Sequence, residues 1–313
     1  MKTFKSFRLE PRLTNTSTKF FLLISLLIVL WLFSNSFNFL NLSFKQSDTS
    51  QNNLQINNVP YVTSSALPTS TPAPKKPETK TSIPQVSGNQ VKVPVLMYHY
   101  IGGNPNPADV ARDALSVSPE RFDEQMRYLK SNGFNVITLD TLYAAISGQI
   151  SLPDKSVVIT FDDGYIDLFL NAYPILLKHQ LRAVAFIPTG LIGTSYYASW
   201  DQLSQMQASG LFSFQSHSVT HANLASLSKE QLMYELTESK RVLEARFGIP
   251  VNSIAYPYGT SSPLVWTTTR NAGYVGGLGT WYSLIQSEGT RYNMPRIKVS
   301  GGWDINSFAS KLH

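Results

Sequence analysis

Short apolar runs alternate with amphipathic helical segments along residues 91–313, and this alternation restricts the possible folds more than any other feature. The apolar runs are typical of buried strands and read VPVLMYH, NVITL, SVVITFDD, AVAFIPT, FSFQSH, SIAYP and YVGGL. Strands that alternate with helices form a parallel sheet whose helices pack on the outside. We therefore predict an α/β fold, either an open parallel sheet or a barrel.

Two of the helical segments carry clear boundary signals. In SPERFDEQMRYLKSNG, Ser118 is a good N-cap, Pro119 suits the first helical position and Gly133 follows the last turn. In SLSKEQLMYELTESKRVLEARFG, Ser228 and Gln231 have the spacing of a capping box. Both segments are therefore predicted to be helices.

The N-terminal part differs from residues 91–313 in its amino-acid composition. Residues 1–19 are polar and basic, and residues 20–44 carry no charge and include FFLLISLLIVLWLF. A bilayer-spanning helix needs about 20 apolar residues, and basic residues before it favour a cytoplasmic N-terminus. We predict a cytoplasmic tail over 1–19 and a transmembrane signal anchor over 20–44, which attaches the chain to the membrane. A cleaved signal peptide, which would release the protein, is the alternative.

Residues 45–90 are rich in Ser, Thr, Asn, Gln and Pro and have no hydrophobic period. Such a composition cannot bury enough apolar surface to fold, and its prolines stiffen the chain. We predict a disordered linker that separates the membrane from a catalytic domain over 91–313. That domain would then lie outside the cytoplasm.

Charge and cysteine content exclude several functions. Residues 1–90 contain 9 Lys/Arg and 3 Asp/Glu, whereas residues 91–313 contain 17 of each kind. The basic excess therefore lies outside the predicted domain, and nothing indicates a nucleic-acid partner. The chain has no cysteine, so thiolate catalysis and thiolate metal sites are excluded.

Unusual polar side chains stand at the ends of several predicted strands, where parallel α/β folds place their sites. They are His99, the neighbours Asp162 and Asp163, His217 and the segment Tyr256, Pro257 and Tyr258. Each of these motifs could be a simple turn or strand end when taken alone. Their shared position predicts one site at the rim of the sheet.

A pair of histidines within SHSVTH indicates a metal ion. His217 and His221 have the i, i+4 spacing that brings two side chains together on one helical turn. A third ligand is needed for a site that keeps an open position, and the Asp162–Asp163 pair offers one. We expect one of these carboxylates to bind the metal and the other to act as the base for the reacting water. Two polar loop histidines and an Asp-Gly turn are the alternative interpretation.

These motifs resemble those of the polysaccharide deacetylase family, which shares the NodB homology domain. TFDDG (160–164), HSVTH (217–221) and YPYG (256–259) are similar to its three central motifs, and VPVLMYHYIG and MPRIKVSGG to flanking segments. The resemblance implies a distorted (β/α) barrel and metal-dependent removal of N-acetyl groups from an amino-sugar polysaccharide. Zinc is the expected metal, and cobalt or nickel would suit the same ligands.

The resemblance also implies roles for individual residues. It assigns the metal to Asp163, His217 and His221, and the role of general base to Asp162. The backbone N–H of Tyr258 would stabilise the oxyanion. In the branch that acts on poly-N-acetylglucosamine, which this sequence resembles most, the general acid is the histidine of the first strand, here His99.

The sequence departs from the family pattern in two places. Ala255 stands where many members have an arginine that positions the base, and no late Leu-x-His motif is present. We expect Arg296, in MPRIKV, to take over part of the role of that arginine, although a surface arginine is an equal alternative. Substrate contacts are expected from Tyr256, Pro257, Tyr258 and Arg296.

The expected function is therefore deacetylation of an N-acetylglucosamine polymer by a monomeric enzyme. An acetyl ester-directed deacetylase and a catalytically inactive carbohydrate-binding homologue are the alternatives. Loops at Gly102–Ala114 and Gly193–Gln202 are expected to border the substrate groove. His179 is expected to be a solvated surface residue, and Asp167 an acid at a helix N-terminus.

Overall fold

The computed structural model describes residues 89–104, 106 and 108–313, which belong to one compact unit. The predicted tail, anchor and almost all of the predicted linker lie outside these residues, so the domain boundaries stay predictions. No helix within the described part is long and apolar enough to span a bilayer.

Strands and helices alternate along the described part. The strands are β1 (Gln90–Lys92), β2 (Val95–Tyr98), β3 (Tyr100–Ile101), β4 (Ser116–Val117), β5 (Asn135–Val136), β6 (Ser156–Phe161), β7 (Ala183–Ile187), β8 (Phe212–Ser216), β9 (Ser253–Ala255), β10 (Gly276–Leu278), β11 (Ile285–Ser287) and β12 (Ile297–Lys298). The helices are α1 (Val110–Leu115), α2 (Pro119–Ser131), α3 (Leu139–Ile146), α4 (Tyr173–His179), α5 (Trp200–Ala208), α6 (Lys229–Phe247), α7 (Pro263–Asn271) and α8 (Ile305–Ser310).

One parallel sheet organises these elements. Its strand order is β10-β9-β8-β7-β6-β2-β12, and β5 pairs with the first residues of β6. Backbone hydrogen bonds from Met294 to Gly277, from Gly279 to Met294 and from Arg296 to Trp281 also join the chain after β10 to the segment that leads into β12. The sheet therefore curls towards closure, as the predicted α/β barrel requires.

Successive strand residues face two separate cores. In β6, Val157, Ile159 and Phe161 pack with the outer helices, whereas Val158 belongs to an inner cluster. In β7, Val184 and Phe186 belong to the same inner cluster. Because side chains alternate between the faces of a strand, the residue that follows Phe161 is directed towards the interior of the curled sheet.

The register aligns the ends of the strands. Tyr98 is paired with Phe161, Ile187 with Ser216, and Ala255 with Leu278. The residues that follow these pairs therefore share one rim, and His99 comes beside Asp162. The fold thus places the polar residues singled out in the sequence at a single edge.

Local sequence signals are mostly confirmed. Ser118 accepts a hydrogen bond from the N–H of Arg121 at the start of α2, and Ser228 and Gln231 form a reciprocal capping box at the start of α6. The strand predicted over NVITL is wrong in its second half. There Thr138 caps α3, which begins at Leu139, because its side chain accepts from the N–H of Thr141.

Asp167 precedes a short π-helical turn, Leu168–Ala172, but makes no side-chain cap hydrogen bond. Burial raises the pKa of its carboxyl to about 6. A raised pKa stabilises the fold below the unfolded value of 3.8, and this contribution is lost as the pH rises through about 6. The ionised form therefore destabilises the fold at neutral pH.

We expect Asp167→Asn to raise the free energy of unfolding at pH 8 by at most about 3 kcal/mol and to change it little at pH 4. The reason is that the amide carries no charge to bury. Denaturant unfolding of both proteins at the two pH values measures the difference. A stability gain of equal size at both pH values would show that the carboxylate charge is not the cause.

Candidate active site

The two neighbouring aspartates leave strand β6 through a sharp turn. Asp163 and Gly164 have φ values of +72° and +70°, a left-handed conformation that is costly for most side chains and tolerated by aspartate. The N–H of Asp162 donates to the carbonyl of Tyr98, so the first aspartate still continues the sheet. The turn therefore directs the two carboxylates to different surroundings.

Asp163, His217 and His221 form a group that could hold a metal ion, since one ligand atom from each lies within 4.8 Å of the others. Asp163 Oδ1 is 3.2 Å from Nε2 of His217 and 3.1 Å from Nε2 of His221. Asp163 and His217 are buried, and His221 is partly exposed. The three ligands predicted from the sequence are therefore brought together, with one side open to solvent.

The donor atoms fit a divalent transition metal. His217 Nδ1 lies 2.7 Å from the carbonyl oxygen of Ala255 and must donate to it, because a carbonyl only accepts. In the neutral form that can bind a metal, the ring then carries its free lone pair on Nε2, the atom that faces Asp163. Such a backbone contact fixes the tautomer of a metal-binding histidine, and two imidazoles with one carboxylate suit zinc, cobalt or nickel.

The closeness of Asp163 to the two histidines shifts the pKa values of these groups. Burial raises the pKa of Asp163, but hydrogen bonds with His217 and His221 outweigh it and hold the pKa far below its usual range. Burial lowers the pKa of His217, but Asp163 and Asp162 outweigh this and raise it. Asp163 is therefore ionised at any physiological pH, as a metal ligand must be.

Glu235, on helix α6, fixes the loop between the two histidines. Its carboxylate accepts from the N–H of Val219 at 2.7 Å and the N–H of Thr220 at 2.9 Å, and from the hydroxyl of Thr220 at 2.6 Å. The loop needs such support, because Ser218 and His221 have positive φ values of 66° and 59°. No sequence signal indicates this role, since Glu235 looks like any other helix glutamate.

Arg296 holds the first aspartate, Asp162. Its guanidinium donates from both terminal nitrogens to the two carboxylate oxygens of Asp162, each at 2.7 Å. Arg296 is fully buried, and its Nε donates to the carbonyl of Gly279 at 2.9 Å. The structure therefore places Arg296 beside Asp162, the predicted base, whereas its predicted contact with substrate conflicts with its complete burial.

The ion pair with Arg296 determines the protonation state of Asp162. Burial by itself raises the pKa of Asp162, but the charge and hydrogen bonds of Arg296 outweigh it, and the pKa lies below the usual value. His99 Nε2 is 4.0 Å from Asp162 Oδ2. Burial lowers the pKa of His99, although both aspartates act to raise it. Asp162 is therefore an ionised carboxylate outside the three-residue group, with a histidine at its side.

A cavity of about 490 Å³ opens over these groups. Tyr258 stands at its mouth with 67% of its surface exposed, and its ring meets His221 edge-on at 4.7 Å. Tyr256 and Pro257 were also predicted to contact substrate, but their side chains are buried. Tyr258 is therefore the member of this segment best placed to contact substrate.

An aromatic wall borders one side of the cavity. The rings of Tyr100 and Tyr165 stack at 4.2 Å, and Tyr197 stacks on Tyr165 at 5.2 Å. The guanidinium of Arg112 lies over the ring of Tyr100 at 4.2 Å. Arg112 and Tyr197 belong to the two loops predicted to border the groove.

One prediction about a histidine is wrong. His179 was expected to be solvated, yet it is buried and its Nε2 lies 2.8 Å from Asp123 Oδ1. Lys178 donates to the same carboxylate at 2.7 Å. Because α2 and α4 pack against each other here, the apparent surface histidine belongs to a helix–helix contact outside the site.

Comparison with known proteins places the chain in a family. A family model described as polysaccharide deacetylase matches residues 149–277. The poly-beta-1,6-N-acetyl-D-glucosamine N-deacetylase of Staphylococcus aureus (strain MRSA252) is 32% identical over 199 residues, which cover 59% of this chain and 68% of that protein.

Solved structures of similar proteins support the same family assignment. The deacetylase PplD of Streptococcus pyogenes, in complex with acetate, is 29% identical with a TM-score of 0.67, over 72% of this chain and all of that one. BC0361, a polysaccharide deacetylase from Bacillus cereus, is 30% identical with a TM-score of 0.64, over 72% of this chain and 70% of that one. Fold and site thus define a hydrolase, and the chain belongs to the polysaccharide deacetylase family.

We expect Glu235→Ala to weaken metal binding about 10- to 100-fold, although no proposed ligand is removed. The loss of three hydrogen bonds would free the loop that carries His221. Titration of zinc into the metal-stripped protein measures the affinity. The matched control is Glu238→Ala on the same helix, whose carboxylate pairs with Arg241 in solvent. Equal affinities in both variants would rule out this positioning role.

Proposed function

We propose that the protein is a metal-dependent deacetylase that hydrolyses N-acetyl groups of an N-acetylglucosamine-containing polysaccharide and releases acetate. The observation that carries the proposal is the pairing of a three-ligand cluster with a separate carboxylate, Asp162, that Arg296 keeps ionised. The relative in Staphylococcus aureus is named as a deacetylase of poly-beta-1,6-N-acetyl-D-glucosamine, which supports this substrate class.

Asp163, His217 and His221 would hold the ion. The chemistry that a divalent ion supplies in such a site is polarisation of the acetyl carbonyl and a lowered pKa of the attacking water. Zinc is the first choice for this ligand set, with cobalt and nickel as alternatives.

The chain's own groups would move the protons. Asp162 removes a proton from the water that attacks the acetyl carbon, and the N–H of Tyr258 stabilises the developing oxyanion. The carbon–nitrogen bond then breaks, and His99 gives a proton to the leaving amine. The lowered pKa of His99 makes its protonated ring a stronger acid for this step.

Two alternatives make different predictions. An ester-directed deacetylase would use the same groups but release acetate only from acetyl esters. An inactive carbohydrate-binding homologue was suggested by Ala255, yet the buried Asp162–Arg296 pair argues against it, because a pure binding protein has no need of an ionised base at this rim. Acetate release from acetamide and ester oligosaccharides side by side distinguishes all three.

Substitutions of Asp162 and Asp163 should have different effects. We expect Asp163→Asn to weaken zinc binding, because the amide is a neutral ligand, and Asp162→Asn to keep zinc while turnover falls at least about 100-fold. Metal content after dialysis and acetate release from β-1,6-linked N-acetylglucosamine oligomers measure the two properties. If both variants lost metal and activity together, the proposed division of roles would be wrong.

Arg296→Met should shift the pH dependence of catalysis. Without the guanidinium, burial dominates and the pKa of Asp162 rises, so the acidic limb of the kcat/KM profile should move to higher pH. Arg296→Lys keeps the charge but loses the paired hydrogen bonds, and its limb should lie between those of the methionine variant and the native protein. Thermal unfolding shows whether the variants fold; a folded methionine variant with an unshifted limb would contradict the role of Arg296.

We also propose that the catalytic domain faces outward from a membrane anchor at residues 20–44, the uncharged segment after the basic tail. Its amino-sugar polymer would then be an exported or cell-wall polysaccharide. Separation of membranes from soluble protein, with residues 20–44 intact or deleted, tests the anchor. Equal distribution of both forms would contradict it.

A further inference from the structure

A second cavity lies beside the active site. Its volume is about 270 Å³, just below the range for small-molecule sites, about 300–1,000 Å³. Its walls come from helix α7 and from the chain on either side of β11. The lining residues that matter here are Trp266, Trp281, Tyr292, Arg270, Glu288 and Asn293.

The two tryptophans present apolar ring surface to this cavity. The indole N–H of Trp281 donates to the carbonyl of Asn293 at 2.8 Å, and that of Trp266 donates to the hydroxyl of Ser261 at 2.9 Å. Their polar edges therefore already have partners. Trp281 nevertheless remains 42% exposed. A ligand with flat C–H faces and polar edges, such as a pyranose ring, matches such surfaces.

The charges select the kind of sugar. The guanidinium of Arg270 lies 4.8 Å from the centre of the Tyr292 ring, and the carboxylate of Glu288 is paired with Arg291. Arg291 itself does not line the cavity, so within the described residues Arg270 is the lining charge that no ion pair compensates. A neutral N-acetylated residue can enter, whereas a glucosaminium residue is repelled.

The second cavity is connected to the catalytic rim through three consecutive residues, 279–281. Thr280 lines the active-site cavity, and its neighbour Trp281 lines the second one. Arg296 holds this segment at both ends, since its Nε donates to the carbonyl of Gly279 and its backbone N–H to the carbonyl of Trp281, each at 2.9 Å. The two cavities are therefore placed to contact neighbouring parts of one polymer.

We propose that the second cavity is a carbohydrate subsite that binds an N-acetylated sugar residue of the polymer whose other residue occupies the active site. The inference rests on the proposed function for the identity of that polymer. Its consequence is that the enzyme prefers long substrates that are still acetylated around the reacting residue.

Kinetics test the subsite. The native full-length protein should have a higher kcat/KM for a β-1,6-linked N-acetylglucosamine hexamer than for the disaccharide. Trp281→Ala should raise KM for the hexamer about tenfold, the worth of one aromatic contact, and bring the hexamer-to-disaccharide ratio of kcat/KM towards one. Trp281→Phe, which keeps a ring, should retain part of the preference.

Tyr282→Ala is the matched control, because Tyr282 is exposed and adjacent but does not line the cavity. It should leave the hexamer preference unchanged. The proposal is overturned if the native protein has no preference for the hexamer, or if Trp281→Ala changes KM for both substrates by the same factor, which would indicate a general structural effect.

Binding separates this proposal from the proposed function. Titration of the zinc-loaded protein with the acetylated hexamer should change its tryptophan fluorescence, and Trp281→Ala should lose most of the change and bind several-fold more weakly. The fully deacetylated hexamer should bind more weakly than the acetylated one at pH 7. Binding that depends on Trp281 without acetate release would reject the proposed function alone, whereas acetate release with binding independent of Trp281 would reject the subsite alone.

Discussion

The ion pair between Arg296 and Asp162 is the interaction on which the active site depends. Both side chains are buried, so each loses its hydration, and only paired charge-assisted hydrogen bonds can offset that cost. The same guanidinium also holds the chain after β10 through the carbonyl of Gly279. One arginine thus fixes the state of the proposed base and the position of the segment that separates the two cavities.

The backbone beneath the site explains how two adjacent carboxylates can act separately. Asp162 continues the alternation of β6 and faces Arg296 in the interior, whereas Asp163 adopts a left-handed conformation and turns to the histidines. Left-handed conformations recur at Ser218, His221 and Tyr258. Such strain persists where the surroundings hold it, and here Glu235 and the strand pairing supply that support.

Recognition of a polymer requires more than a reactive centre. The active-site cavity contains the proposed ligands, the proposed base and the exposed ring of Tyr258. The second cavity offers indole faces and the charge of Arg270, while Glu288 is paired with Arg291. A product that carries amino groups would be repelled from the second cavity by Arg270. The arrangement therefore favours acetylated stretches of substrate over stretches that have already reacted.

Sequence alone determined the elements whose signals are local. Strand runs, helix caps and the motif residues at strand ends follow from side-chain period and capping chemistry, so the parallel α/β sheet and the gathering of His99, Asp162, Asp163, His217 and His221 at one rim could be predicted. The strand predicted over NVITL was wrong in its second half, because Thr138 caps a helix that begins inside the apolar run.

Tertiary structure alone decided the features that depend on partners distant in the chain. Arg296 pairs with Asp162, although the two residues are 134 positions apart in the sequence. Glu235, on helix α6, accepts a hydrogen bond from the loop between the two histidines. His179 is buried only because α2 packs on α4, and Trp266 comes to line one cavity with Trp281 only through the fold. The burial and the ion pairing of a side chain depend on contacts between different helices and strands. The sequence pattern of a single helix or strand therefore cannot predict them.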